Sequence, residues 1–418
     1  IVKSIQRSDA SANGANDAKW LMENVVLITE NAGGFYNLSR NIFQSPMSLN
    51  ATYSHMQLGD ETPSTIIASS RMKQTADKIG WHPTPERTFE YDGHTYLNTY
   101  RAPSIVPKPY DITMWLQLMD HVYKENVHHA LGHMAFTVQK PEVKIRWQII
   151  NGGRARTGKS LVLKPMAIIF AGSASVVGDK DVAAGWGDIF NGKKVLIFEE
   201  VWQPDKRQFN ELKSKLANDD IETLNIKGQG LKTQRNLYSM YMCTNHADAL
   251  QFEEDDDKLL VIDCSDRLPI EFYRALGDEI NFNPDFVAGI YHYLLNYDIS
   301  NFNAGQLPVR TAAMRKMVHA SRPEYESMAM EWLDDGVFNP KCFRIADLMM
   351  KLRESTGVRS QRRVGEMLTR EGYESYRAQK KGLPVVRFWS NDEACREMRA
   401  VELHEYYHVQ LMSGLNDS

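Results

Sequence analysis

Cysteine is scarce here: Cys243, Cys264, Cys342 and Cys395 are the only four in 418 residues, and none stand at a metal or redox spacing. This excludes a disulfide-stapled scaffold and suits a reducing cytosol. No run of about 18 apolar residues occurs, so the sequence offers no membrane-spanning helix. Charge of one sign is lacking too. The formal net charge is −4, without the basic excess of a protein that coats nucleic acid. What is present is 43% hydrophobic residues, enough for more than one core, so two or three domains are expected.

The most informative stretch runs through Gly153, Arg154, Ala155, Arg156, Thr157, Gly158, Lys159 and Ser160, a full G-x-x-x-x-G-K-[ST] phosphate loop. Val143 to Ile150 before it alternates and then turns apolar, as a buried strand does. Leu161 to Phe170 after it reads as a helix, with Pro165 tolerable near the first turn. Strand, glycine loop and helix aim backbone N–H groups at one point, where the helix dipole adds positive potential. Lys159 then reaches the β/γ-phosphates of ATP, and the Ser160 hydroxyl serves Mg²⁺.

About forty residues on, Lys193 to Phe198 forms an apolar strand ending in Glu199 and Glu200. Of two carboxylates at one strand end, one (Glu199 here) can hold Mg²⁺ and the other (Glu200) can polarise the attacking water. Alone, such a strand and acidic turn would mean little; behind a phosphate loop it completes an ATPase site. A third strand, Leu237 to Thr244, runs into Asn245, whose amide can contact the γ-phosphate or position the water. An Asn there otherwise reads as a cap or turn residue.

In order and spacing these motifs resemble the superfamily 3 helicase domain of phage, plasmid and poxvirus-type primase-helicases. The likeness runs well over roughly residues 80–320, through Gly80-Trp-His-Pro83, Met242-Cys-Thr-Asn-His246 and Pro308-Val-Arg-Thr311. It implies an α/β fold: a P-loop AAA+-type ATPase core with a helical N-terminal collar and a C-terminal winged-helix-like domain. It implies a ring, most simply a hexamer, moving along single-stranded or forked DNA with ATP and Mg²⁺. It puts a basic hairpin in the pore, which makes Lys227 and Lys232 the candidate DNA contacts. A ring that keeps its lysines in a pore can be acidic overall. One departure stands out. Relatives place Asp-Arg-Arg-Phe after the sensor Asn, whereas this chain has Asp256-Asp-Lys-Leu259. Lys258, which lacks the guanidinium fork, or Arg267 would have to act as the finger on a neighbour's γ-phosphate.

The expected divisions are an α+β lead-in over 1–110, the collar over 111–140, the ATPase core with its following helices over 141–322, and the winged-helix-like unit over 323–418. Residues 1–19 read as a flexible lead, Thr62–Lys78 as a helix, and Ile112 to Phe136 as an amphipathic helical region. His128, His129 and His133 fall in that region, where a surface or interface role is expected. In the C-terminal unit Ala346–Glu354 and Gln361–Arg370 read as helices ahead of a β-hairpin. A local excess of cations that includes Arg362, Arg363, Lys380 and Lys381 suits phosphate contacts. His404-Glu-Tyr-Tyr-His408 matches H-E-x-x-H, but a third ligand and a cleft are wanting.

Ile1-Val-Lys-Ser lacks both an initiator Met and an apolar signal core. The expectation is a segment of a longer cytoplasmic protein, with a primase or polymerase domain upstream or in trans. The leading expectation for function is an ATP-dependent DNA helicase of a replication module. A packaging motor on another polymer is the nearest alternative among ATPases. From a different class comes a replication initiator whose ATPase acts as an assembly switch.

Overall fold

The computed structural model describes residues 14–30, 33–56, 58–178, 189–200, 215, 221–226, 230–246, 257–320, 322–335, 342–378, 385–391 and 402. Its contacts divide the chain into two units, Ile1–Val318 and His319–Ser418.

The first unit opens with β1 (Val25–Ile28), β2 (Gly34–Asn37), β3 (Ile42–Gln44) and β4 (Gln74–Ala76), in one sheet of order β3-β2-β1-β4. The stretch 62–78, expected as one helix, is helical only over Pro63–Ser69. Ser69 bonds back to the Thr65 carbonyl and the Ser70 hydroxyl accepts from the Met72 amide, so short polar side chains take groups that a further turn would need. The chain continues instead into β4 and β5 (Lys78–Gly80), which pairs with β7 (His94–Asn98) and, beyond it, β6 (Thr88–Tyr91).

The centre of the unit is a sheet of parallel strands: β8 (Gln148–Gly152), β9 (Ala174–Val177), β10 (Val195–Phe198), β13 (Ser239–Cys243) and β14 (Leu259–Asp263), ordered β14-β8-β13-β10-β9. Between β10 and β13 the chain forms an antiparallel hairpin, β11 (Ile221–Ile226) and β12 (Gly230–Arg235). Side chains alternate faces at period two. Ile149, Ile197, Tyr241 and Ile262 enter one core, while Ile150, Leu196, Met242 and Val261 enter the other. Burial on both sides is why these strands read as near-continuous apolar runs.

The first core is closed by helices Thr113–Tyr123, Val127–Gln139, Lys164–Ile169, Ile270–Phe282 and Pro284–Asn296. Trp115, Leu118, Val122, Ala130 and Met134 share this core with the strands, so the helices expected as a collar over 111–140 cover the central sheet. The surface or interface role expected of His133 is corrected: it is fully buried. Its Nε2 lies 3.2 Å from the Trp147 carbonyl and must donate, leaving Nδ1 to accept from the Tyr241 hydroxyl at 3.1 Å. Burial lowers its pKa to about 3. Helix Ala312–Ala320 supplies Met314 and Met317 to the second core.

The second unit runs helix Glu324–Asp334, β15 (Phe343–Arg344), helix Ile345–Thr356, helix Gln361–Arg370, β16 (Glu374–Ala378) and β17 (Val386–Ser390), with its strands ordered β15-β17-β16. Leu348, Leu352, Val364, Leu368 and Trp389 form its core. Among the described residues, no helix is long and apolar enough to cross a membrane.

Candidate nucleotide site

All three sequence motifs lie at the carboxyl ends of parallel strands. Register pairs Asn151 with Cys243 and Met242 with Phe198. The phosphate loop, Asn245 and Glu199 therefore stand side by side on neighbouring strands, across roughly 10 Å of sheet.

The loop leaves β8 through Gly153 at φ +113 and closes through Gly158 at φ +90. A Cβ at Gly153 would come within 2.3 Å of the Cys264 carbonyl oxygen, and one at Gly158 within 2.6 Å of Leu118. Conformation and close approach both demand glycine at these positions. Arg156 also takes a positive φ, +63, the strained left-handed region for a non-glycine residue. Between the glycines the backbone N–H groups from Arg154 to Ser160 donate to no acceptor among the described residues. The Lys159 ammonium sits in the hollow of this loop. It donates to the carbonyls of Gly153 (2.9 Å) and Arg154 (2.5 Å) and to Asn245 Oδ1 at 3.1 Å. Burial lowers its pKa, countered in part by Cys243, Cys264 and Asp263.

At the carboxyl end of β13 the Cys243 thiol is buried, and Ser160 beside it lowers its pKa. Burial pushes that thiol up to about 12; Lys159 pulls it down and Glu199 pushes it further up. Glu199 donates its N–H to the Val177 carbonyl at 2.8 Å, and both Glu199 and Glu200 face solvent. Glu200 takes a positive φ, +54. A hydroxyl and a carboxylate flanking an anion-seeking loop fit a hydrated Mg²⁺ shared with phosphate oxygens.

The helix expected over Leu161–Phe170 is reduced to Lys164–Ile169. Pro165 has no N–H to give the Leu161 carbonyl, and the preceding turn is tightened by Leu163→Ser160 and Lys164→Leu161 bonds. Strand β8 likewise lies later than the expected Val143–Ile150, ending at Gly152 itself.

Arg267 is engaged in cis. Its Nε and Nη2 both donate to the Ala155 carbonyl, at 3.1 and 2.9 Å, so it braces its own loop instead of extending toward a neighbour. Lys258 immediately precedes β14 at the amino edge of the sheet, about 16 Å from the loop edge at strand rise. Its ammonium cannot serve the loop of its own chain.

Several contributors escaped the sequence reading. Asn151 holds the loop from below, donating to the Tyr123 hydroxyl at 3.0 Å and to the Lys159 carbonyl at 3.5 Å. A polar residue ending an apolar strand was a visible signal; its partner Tyr123 was not. Beside the loop lies a cavity of about 200 Å³ lined by Arg154, Asn245, Asp263, Ser265, Lys316 and Met317. Lys316 reaches Asp263 at 3.8 Å there. Lys232 lies on β12 opposite Leu224, with only its backbone described, and Lys227 lies outside the described residues. Arg362 and Arg363 are exposed on helix Gln361–Arg370, with Arg362 bonded to Glu366 at 2.8 Å. Lys380, Lys381 and the His404–His408 motif lie outside the described residues.

Comparison with solved structures gives the fold. The apo structure of the NrS-1 C-terminal region (305–718) superposes with a TM-score of 0.65 at 14% identity, covering 89% of this chain and 98% of that one. The A form of the same region gives 0.65 at 15% identity with the same coverage. A JCV helicase aligns over 54% of this chain and 65% of that one, at 10% identity and a TM-score of 0.31. A family described only as of unknown function, DUF5906, matches residues 150–264, from within β8 to just past β14. No curated protein matches the chain. The chain thus shares the α/β fold of the NrS-1 C-terminal region, with its parallel sheet at the centre.

Proposed function

We propose that this protein is an ATP-dependent DNA helicase of the superfamily 3 type, working in a phage or mobile-element replication module. The observation that carries the nucleotide site is the run of acceptorless N–H groups from Arg154 to Ser160, wrapped around Lys159. Backbone amides with no protein acceptor, three of them on the exposed residues Arg154, Ala155 and Arg156, are available to the oxygens of a polyphosphate. Ser160 and Glu199 would hold Mg²⁺, which neutralises charge on the phosphate oxygens when bound. Lys159 then exchanges its loop carbonyls for phosphate oxygens. Asn245 orients the attacking water, and Glu200 accepts a proton from it.

The DNA half of the proposal rests on the β11–β12 hairpin, which carries Lys227 and Lys232 between the acidic strand and the sensor strand. In the second unit, the order helix, strand, two helices and hairpin, with β15 on β17, supports the winged-helix reading, and helix Gln361–Arg370 presents Arg362 and Arg363. The proposal includes a ring, in which Lys258, too far from its own loop, would act on a neighbour's nucleotide; a hexamer in the host cytoplasm is the simplest form. The NrS-1 structure is of a C-terminal region, and the proposal includes a primase or polymerase domain upstream of this chain or in trans.

One observation favours a second reading. Arg267, the guanidinium nearest the site after β14, is committed to its own loop, which suits an assembly switch in a replication initiator. Unwinding of a forked duplex separates the two. The helicase opens the fork with ATP and not with a non-hydrolysable analogue, whereas a switch binds DNA and hydrolyses ATP without opening it.

A further inference from the structure

A cleft of about 210 Å³ lies where β5, β6 and β7 meet strand β12 of the hairpin. Its floor is aromatic. Phe89 and Tyr96 are cross-strand partners stacked 5.3 Å apart at 14°, and both rings lie over Gly80. A Cβ there would come within 2.6 Å of Phe89 and 2.8 Å of Tyr96, so glycine is what lets the rings settle on the backbone. Covering Gly80 accounts for that pair but not for what surrounds it. Tyr91 stands edge-on to Tyr96 at 6.2 Å and is 41% exposed. Across the cleft Arg235 is exposed and forms no salt bridge among the described residues. His82, tilted against Phe89, has its pKa lowered by burial first and then by the Arg235 charge.

An aromatic floor edged by the exposed Tyr91 ring, with an exposed guanidinium opposite, suits a ligand that is flat at one end and anionic at the other, which is a nucleotide unit. Paired bases in a duplex are stacked on each other and cannot reach such a floor; unpaired bases can. We propose that this cleft is a second contact for single-stranded nucleic acid, with a base on the exposed Tyr91 ring and its phosphate on Arg235. It rests on the helicase reading only for the identity of the polymer.

The test compares binding of a labelled oligothymidylate with that of an abasic phosphodiester of equal length, for the wild type and for Tyr91→Ala with Arg235→Ala. Stacking of one base predicts that the wild type prefers the thymidylate by roughly 5- to 100-fold. The double variant should lose that preference while keeping DNA-independent ATP turnover, and Tyr91→Phe should retain it. Equal binding of both polymers by the wild type, or an undiminished preference in the double variant, would overturn the inference and leave the helicase reading standing. A wild type that binds no single strand at all would remove both. Should the double variant fold poorly, photocrosslinking of a 5-iodouracil oligonucleotide to the wild type decides: adducts on Tyr91 or Tyr96 support the cleft, and adducts confined elsewhere contradict it.

Discussion

At the scale of single residues, the loop glycines, Arg267 and the acidic pair make separable predictions. Gly158→Ala forces a Cβ onto Leu118 at φ +90, which costs on the order of 1–3 kcal/mol and distorts the loop. A lowered melting temperature with weakened nucleotide binding is expected. Glu200→Gln keeps the loop intact and should bind ATP while hydrolysing it at least about 100-fold more slowly, as loss of a general base does. Arg267→Ala removes the brace on the Ala155 carbonyl, so nucleotide affinity should fall. Lys258→Ala should instead lower turnover with affinity unchanged. If the two variants behave alike, the cis and trans roles of these cations are wrong. The strand-end positions of the glycine loop, both acids and Asn245 were legible because each is a short motif behind an apolar run. The Arg267 brace was not, since it joins residues 112 apart in sequence.

Among the elements, legibility followed local pattern. Strands β10, β13 and β14 are apolar runs with polar ends, and the sequence reading found them. The helices over 113–139 were found as helices but their packing on the sheet was not, because period alone shows which face is apolar and not what covers it. His133, expected at a surface or interface, is buried there. Its folded pKa, about 3, lies below the ordinary value, so below pH 6.5 the unfolded chain takes up a proton that the folded protein refuses. Its contribution to stability is therefore complete above pH 6.5 and is lost as pH falls from there toward 3, by at most about 1.4 kcal/mol per unit. Thermal unfolding measured between pH 8 and 4 should show that slope, and His133→Gln should flatten it. For the hairpin, Lys227→Ala with Lys232→Ala should keep basal ATP turnover and lose its stimulation by DNA. Wild-type unwinding by that variant on preloaded forks would show that other groups line the path.

For the whole molecule, the division after Val318 gives the C-terminal unit its own core around Leu348, Leu352 and Leu368. Its cations are fewer in practice than the sequence suggests. Arg344 pairs with Asp347, Arg370 with Glu326, and Lys351 lies over the Trp332 ring. Ending the chain before His319 should accordingly leave ATP turnover in place and weaken DNA binding, most visibly at elevated salt. Assembly enters through Lys258: turnover should rise more steeply than linearly with protein concentration until rings form. All of this presupposes that the loop from Arg154 to Ser160 binds the phosphates of ATP. The direct measurement is steady-state ATP hydrolysis by the wild type and Lys159→Ala, with Mg²⁺ present and both folds checked by thermal unfolding. The account predicts turnover in the wild type and none above background in the variant. Equal turnover by the two would contradict it.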